Sequence, residues 1–206
     1  MARPREAKLS REIIGRAAIE YVEAGNDLQL VPLAKKLGVR VSSLYHHVRG
    51  REGVIQAMRH VLVAEYVPDQ PMQEDGDWAD RVRREVETTW RLYTDHPRSL
   101  ALMLTVVIDE PDVMRVYSTL VDALVEAGVP DDEILTTVEV IDAFTFGAAL
   151  DALSPDQILE PEEADGKLGE LLPGHLVGRA RNRAMFDHGL DLLIEGIRSR
   201  VDRASG

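Results

Sequence analysis

Two glycines divide the segment from Pro32 to Tyr66 into three helical stretches, and this division limits the folds open to the chain. Gly38 separates PLAKKL from VSSLYHHV, and Gly50 separates VSSLYHHV from a longer amphipathic stretch. Glycine readily adopts the left-handed conformation with which helices end and tight turns are made. A helix with Ser10 as its predicted N-cap precedes them. Short helices joined by a glycine turn predict a helix-turn-helix.

The rest of the chain also shows helical periodicity and no convincing strand pattern. Further helices are predicted over 77–95, 111–128, 130–153 and 180–203, and the apolar run SLALMLTVVI is a buried helix or a strand. Proline and glycine indicate a linker at 68–76 and a loop at 154–178. The expected fold is all-α, with a helix-turn-helix domain over residues 1–60 and a larger helical domain over 61–206.

Charge is distributed unevenly along the chain, whose net charge is -12. Residues 1–60 hold eleven basic and six acidic side chains, a balance of +5, which leaves -17 for the remainder. This asymmetry is typical of a basic unit that meets a polyanion beside an acidic unit that does not. The alternative explanation is that the basic side chains form a solvent-exposed face and bind no polyanion.

Composition and motifs restrict the location and chemistry of the protein. The chain contains no cysteine, no apolar run long enough to cross a membrane, and no secretory pattern in MARPREAKLSRE. We therefore expect a cytoplasmic protein without a membrane partner. No metal, phosphate-loop or nucleophile–base motif is present, so neither a cofactor nor an enzyme activity is expected.

The stretch LAKKLGVRVSSLYHHVRGREGVI resembles the signature of the tetracycline-repressor (TetR) family of bacterial transcription regulators. The matching positions are Leu33, Ala34, Leu37, Gly38, Val39, Leu44, Tyr45, His47 and Ile55. Arg51 replaces the usual lysine and Val48 the usual phenylalanine. Gln29 stands where a capping Thr or Ser is usual, and Val31 where an arginine is common.

The resemblance implies a homodimeric repressor that binds a palindromic operator in double-stranded DNA and is released by a small-molecule effector. Two alternatives remain at this point. An all-α small-molecule carrier or enzyme would use the larger unit without DNA, and a regulator of the same fold could be an activator or need a co-repressor.

Candidate DNA contacts follow from the faces of the third helix. Leu44 and Val48 share its inward side, so Tyr45 is expected to be exposed rather than a core aromatic. Base edges are assigned to Arg40, Val41, Ser42 and His46, and phosphates to Ser43, Tyr45, His47 and Arg51.

The resemblance places a small-molecule pocket among the helices of the larger unit. The candidate ligand residues are Trp90, Tyr93, Met103, Tyr117 and Phe144, with Asp142 or Glu139 as a polar end. These residue types favour an effector with a sizeable apolar body, although aromatic stripes are more often core.

Two glycine-containing helices are candidates for self-association. The predicted dimer interface comprises Phe144, Gly147 and Ala148 on one helix, and Phe186, Gly189, Leu190, Leu193, Gly196 and Ile197 on the other. Glycine inside a helix costs about 1 kcal/mol relative to alanine, a cost that close approach of a second helix can offset. Packing within one chain is the alternative explanation.

Overall fold

A computed structural model describes residues 9–67 and 76–204. Arg3, Arg5, Lys8 and residues 68–75 of the expected linker lie outside the described residues. The described parts form an all-α fold without strands, which confirms the predicted fold class. The helices are α1 Arg11–Glu23, α2 Leu30–Lys36, α3 Val41–Tyr45, α4 Gly50–Tyr66, α5 Trp78–Asp95, α6 Pro97–Met103, α7 Pro111–Ala127, α8 Asp131–Leu150, α9 Gly166–Leu171 and α10 Gly178–Ala204.

The chain divides into two compact units. One comprises Met1–Gln70 with Arg98–Met114, and the other Pro71–Pro97 with Arg115–Gly206. Helix α4 is continuous through residue 60, and residues 98–114 pack with the N-terminal helices. The domain boundary expected at residue 60 stays a prediction. No helix in the described ranges combines the length and apolar character that a membrane span requires.

The first unit depends on close packing between α1 and α4. The hydroxyl of Ser10 accepts a hydrogen bond from the Ile13 backbone N–H at 3.2 Å, which confirms the predicted cap. Where the helices meet, Gly15 lies against the backbone of α4. A Cβ at this position would lie 2.4 Å from the carbonyl oxygen of Ala57, so only glycine permits this separation.

The two glycines of the helix-turn-helix adopt the conformation that the sequence predicts. Gly38 has φ 67° and Gly50 has φ 66°, both in the left-handed region. Helix α2 begins at Leu30, before the predicted Pro32. Helix α3 is shorter than VSSLYHHV, because it ends at Tyr45 and His46–Arg49 form the turn into α4.

The apolar run after His96 is only partly buried, contrary to the expectation of an element buried throughout. Helix α6 ends at Met103, and Leu104 and Val107 are 52% and 84% exposed. Buried Arg59 on α4 explains this ending. Its guanidinium donates hydrogen bonds to the carbonyls of Met103, Val106 and Val107 at 2.8–3.1 Å, which holds the chain in a turn.

The second unit is organised around α5, α8 and α10. Asp77 caps α5 by accepting from the backbone N–H groups of Ala79 and Asp80. Aromatic rings then join the three helices. Trp90 of α5 stacks on Phe186 of α10 with centroids 4.3 Å apart, and Phe186 lies 5.8 Å from Phe144 of α8.

The segment 154–178 contains more structure than the predicted loop. It holds α9 and two 3-10 turns, Pro161–Glu163 and Leu172–Gly174. Pro161 and Gly166 begin two of these short helices, whereas Gly169, Pro173 and Gly174 lie inside them. Much of its apolar surface is exposed, including Ile158, Leu171 and Val177.

We expect Gly15→Ala to destabilise the protein. The added methyl group would overlap the Ala57 carbonyl, and forcing helices apart costs about 1–3 kcal/mol. Alanine recovers about 1 kcal/mol in helix propensity. Chemical denaturation should therefore give a lower free energy of unfolding, and an unchanged or higher value would contradict the close packing of α1 on α4.

Candidate nucleic-acid interface and effector site

The third helix presents one apolar and one polar side, as predicted. Leu44 and Val48 are 1% and 5% exposed and belong to the core of the first unit. Tyr45 is 57% exposed, which argues against a core aromatic. The backbone N–H of Val39 donates to the Ala34 carbonyl at 3.0 Å and fixes the turn before α3.

The remaining predicted DNA residues lie close together at this end of the unit. Arg40 is the N-cap residue of α3 and makes no side-chain capping bond. Arg40, Ser42, His46 and His47 are exposed, whereas Val41 and Ser43 are half-buried. Their assignment to bases or phosphates stays a prediction.

The N-terminus of α4 has the properties of a phosphate-binding end. Arg49 precedes it without capping it, and Gly50 and Arg51 form its first residues. Arg51 is exposed. Uncapped backbone N–H groups and an adjacent cation together favour an anion at a helix N-terminus.

Helix α2 contributes less to such a surface. Gln29 is its N-cap residue but its side chain makes no capping hydrogen bond. Val31, in the first turn, is 67% exposed and offers no hydrogen-bond donor from its side chain. Gln29 and Val31, the two departures from the family signature, therefore lie at a helix start that is apolar and has no side-chain cap.

The predicted ligand residues do not form one group. Met103 belongs to the first unit, where it is buried, whereas the other four lie in the second. Trp90 and Phe144 take part in the aromatic stack with Phe186. Tyr93 meets Phe146 edge-on at 5.6 Å.

The structure brings Tyr117 together with the predicted polar end of the pocket. Its hydroxyl donates to Asp142 at 2.6 Å. Burial raises the pKa of Asp142, the Tyr117 hydrogen bond partly offsets this, and Glu139 raises it further. Burial also raises the pKa of Glu85 on α5, against the opposing charges of Arg84 and Arg115.

The predicted dimer residues separate into buried and accessible groups. Ala148, Phe186 and Leu190 are buried within the subunit. A Cβ at Gly189 would lie 2.3 Å from Cε2 of Phe144, so this glycine serves packing inside the chain. By contrast, Gly147 and Gly196 are exposed and have nothing near their Cβ positions. The interface as a whole stays a prediction.

Sequence reasoning missed four exposed apolar side chains on the same helices. They are Leu135 and Val140 on α8 and Met185 and Leu192 on α10, between 37% and 69% exposed. The signal was available, because α8 is apolar on more than one side and Met185 and Leu192 are seven residues apart.

Two cavities open in the second unit. The larger, of about 720 Å³, lies between residues 156–177 and α10 and has mainly apolar walls. The smaller, of about 530 Å³, lies among the end of α5, residues 151–156 and the start of α10. Both fall within the size range of small-molecule sites.

A basic helix-turn-helix joined to a helical unit with cavities defines a class of ligand-responsive DNA-binding regulators. Residues 70–201, more than half of the chain, match the family model "Tetracyclin repressor-like, C-terminal domain". The chain belongs to the TetR family, whose repressors are ligand-responsive transcriptional regulators.

Individual relatives agree with this assignment. The chain is 25% identical over 199 residues to the HTH-type transcriptional repressor Rv1353c of Mycobacterium tuberculosis, covering 87% of this chain and 76% of that one. It is 27% identical over 197 residues to the class D tetracycline repressor of Escherichia coli, covering 92% and 89%. A possible TetR family regulator from Streptomyces coelicolor superposes with a TM-score of 0.79 at 25% identity, covering 92% and 99%.

The raised pKa of Asp142 predicts a pH-dependent contribution to stability. A carboxyl that holds its proton more tightly when folded stabilises the fold below its unfolded pKa of about 3.9, and this is lost as pH rises through the folded value. The unfolding free energy of the wild type minus that of Asp142→Asn should therefore fall as the pH rises from about 4 upward.

Urea titrations of both proteins across this range provide the measurement. Asp122→Asn, at an exposed carboxylate on α7, is the matched control. A difference that rises with pH would show that the Tyr117 hydrogen bond, rather than burial, dominates at Asp142.

Proposed function

We propose that this protein represses transcription as a homodimer bound to a palindromic operator, and that a small molecule bound to its C-terminal unit releases it. The observation that carries the DNA-binding part is the exposure of Tyr45, Arg40 and His46 around a helix anchored by Leu44 and Val48. An exposed polar helix beside an uncapped helix N-terminus suits a duplex better than a core.

Within that surface, α3 reads base edges and the start of α4 holds a phosphate. Arg40 at the mouth of α3 can donate two hydrogen bonds to guanine, with Val41, Ser42 and His46 beside it. Ser43, Tyr45, His47 and Arg51 bind the backbone. Helix α2 adds little, since Gln29 and Val31 offer neither a cap nor a cation.

Dimerisation uses the accessible apolar surface of α8 and α10. Leu135, Val140 and Leu192 are each about half or more exposed, and Gly147 and Gly196 allow close approach of a second pair of helices. Such a two-fold arrangement supplies two recognition helices and requires an operator with matching symmetry.

The effector site lies in the second unit, where the two cavities open and where Trp90 and the Tyr117–Asp142 pair are found. The class D tetracycline repressor, a relative of similar length, carries the name of a small molecule. An effector with an apolar body fits the larger cavity, and residues 154–178 form its entrance.

Selection of bound duplexes from a random pool tests DNA binding, and two arginine variants test its geometry. Arg40→Ala should cost about 1–3 kcal/mol at one base position and relax the preference there. Arg51→Ala should weaken all duplexes about equally and lower the salt slope by about one. Lys167→Ala, an exposed change on α9, is the control. Equal loss of base preference in both arginine variants would overturn the assigned orientation of α3.

Gly196→Leu should weaken the dimer. Nothing lies near the Cβ position of Gly196 within its own chain, so the added side chain is tolerated in the subunit but blocks approach of a second helix. We expect a dimer dissociation constant raised at least about tenfold by sedimentation, or about 1.4 kcal/mol.

Ala180→Leu adds an exposed leucine on another side of α10 and is the matched control. If Gly196→Leu and Ala180→Leu leave the association equally strong, α10 does not form the interface.

A further inference from the structure

The smaller cavity, called the arginine cavity below, has an unusual set of walls. It is lined by the end of α5 with Trp90 and Thr94, by Asp151 after α8, and by Arg179, Arg181 and Arg183 at the start of α10. Three arginines in the first two turns of a helix oppose the helix dipole, whose positive end lies there. No acidic residue lies in the first turn of α10 to offset them.

Three donor groups on side chains that line this cavity are themselves covered by protein and have no hydrogen-bond partner within the described residues. They are the indole Nε1–H of Trp90, the hydroxyl of Thr94 and the Nε–H of Arg181. Trp90 is only 7% exposed. Buried polar groups are almost always paired in folded proteins, so three unpaired groups around one cavity indicate a ligand or solvent site. Indole and guanidinium nitrogens only donate, so the matching ligand group is an acceptor.

The arginines of the cavity walls differ in whether a carboxylate already neutralises them. Arg181 is neutralised by Asp151 through two hydrogen bonds of 3.0 and 2.8 Å. Burial alone would raise the pKa of Asp151, but the bonds from Arg181 and Asn182 outweigh it and hold the pKa low, so the carboxylate is ionised.

The other three cations of the walls differ in how far they are neutralised. Arg91 pairs with Glu87, and Arg183 is shared between Glu87 and Asp187. Arg179 makes no ion pair with any residue in the described ranges. Its charge and the helix dipole are therefore available to a ligand.

The adjoining cavity indicates what the rest of the ligand is. Arg181 and Asp156 line both cavities, so the two spaces meet at these side chains. On the far side, the larger cavity offers apolar walls from Ile158, Leu172 and Met185. A molecule with its anionic end near Arg179 and Arg181 therefore has apolar space for its body.

We propose that the arginine cavity binds the carboxylate of an amphipathic monocarboxylic acid, whose apolar body occupies the adjoining cavity. Arg179 supplies the charge, and Trp90, Thr94 and Arg181 donate the unpaired hydrogen bonds after small side-chain adjustments. The carboxylates of Asp95, Asp151 and Asp156 in the walls disfavour a doubly charged phosphate, since repulsion grows with ligand charge.

Direct binding in the absence of DNA tests this site. The probes are 4-phenylbutyrate, its uncharged amide and phenyl phosphate, measured by calorimetry and by Trp90 fluorescence in a Trp78→Phe background. A carboxylate accepts charge-assisted hydrogen bonds that the amide cannot, so the acid should bind at least about tenfold more tightly than the amide. It should also exceed phenyl phosphate.

Variants then locate the carboxylate. Arg179→Gln should weaken binding of the acid about tenfold and leave the amide unchanged. Trp90→Phe keeps an aromatic ring against Phe186 but removes the N–H, and should weaken the acid by a smaller factor. Lys167→Gln removes an exposed cation elsewhere and should change nothing.

The outcomes separate clearly. The proposal would be overturned by equal affinity for the acid and the amide, or by tighter binding of phenyl phosphate than of the acid. It would also be overturned if Arg179→Gln left binding of the acid unchanged, or if the acid did not bind at up to about 1 mM. As a statement about the effector, the inference rests on the proposed function. Because the assay contains no DNA, failure of this site and failure of the repressor assignment are distinguishable.

Discussion

The contact between Gly15 and the backbone of Ala57 is the constraint on which the first unit depends. It brings α1 and α4 closer than any side chain at residue 15 would allow. Helix α4 then serves two purposes. Its N-terminus presents Arg51, and its middle holds the turn after α6 through Arg59. A change in the separation of α1 and α4 would therefore displace both Arg51 and the turn after α6.

Arg59 shows why that arrangement resists small distortions. Its guanidinium is buried, and its described partners are a glutamine and the carbonyls of residues 103, 106 and 107. A buried cation without these acceptors would be costly, because carbonyls alone replace the water it has lost. The turn after α6 and the position of α4 are thus coupled within one unit. Movement of that turn would shift the helix that carries Arg51.

The sequence predicted the helix-turn-helix closely, because its signals are local. Ser10, Gly38 and Gly50 each act within one turn of the chain, and all three behave as expected. The apolar run 99–108 was misjudged because its burial depends on Arg59, which lies some 40 residues earlier. Gly189 illustrates the same limit. A glycine inside a helix predicts that another group comes close to it. Whether that group is Phe144 of the same chain or a second subunit depends on the tertiary structure, which the local sequence does not show.

The arginine cavity lay beyond sequence reasoning for a related reason. Trp90 was expected to contact a ligand, yet its stacking on Phe186 is what a core aromatic would do. Only the three-dimensional arrangement shows that one edge of a packed ring can still lack a partner. The aromatic stack holds the indole ring in place, Arg183 of α10 lies 5.3 Å from the ring centroid, and the indole N–H has no partner within the described residues. The faces of the Trp90 ring can thus pack in the core while its N–H, at the ring edge, remains able to bind a ligand. A role in the core and a role in the site are therefore compatible for Trp90.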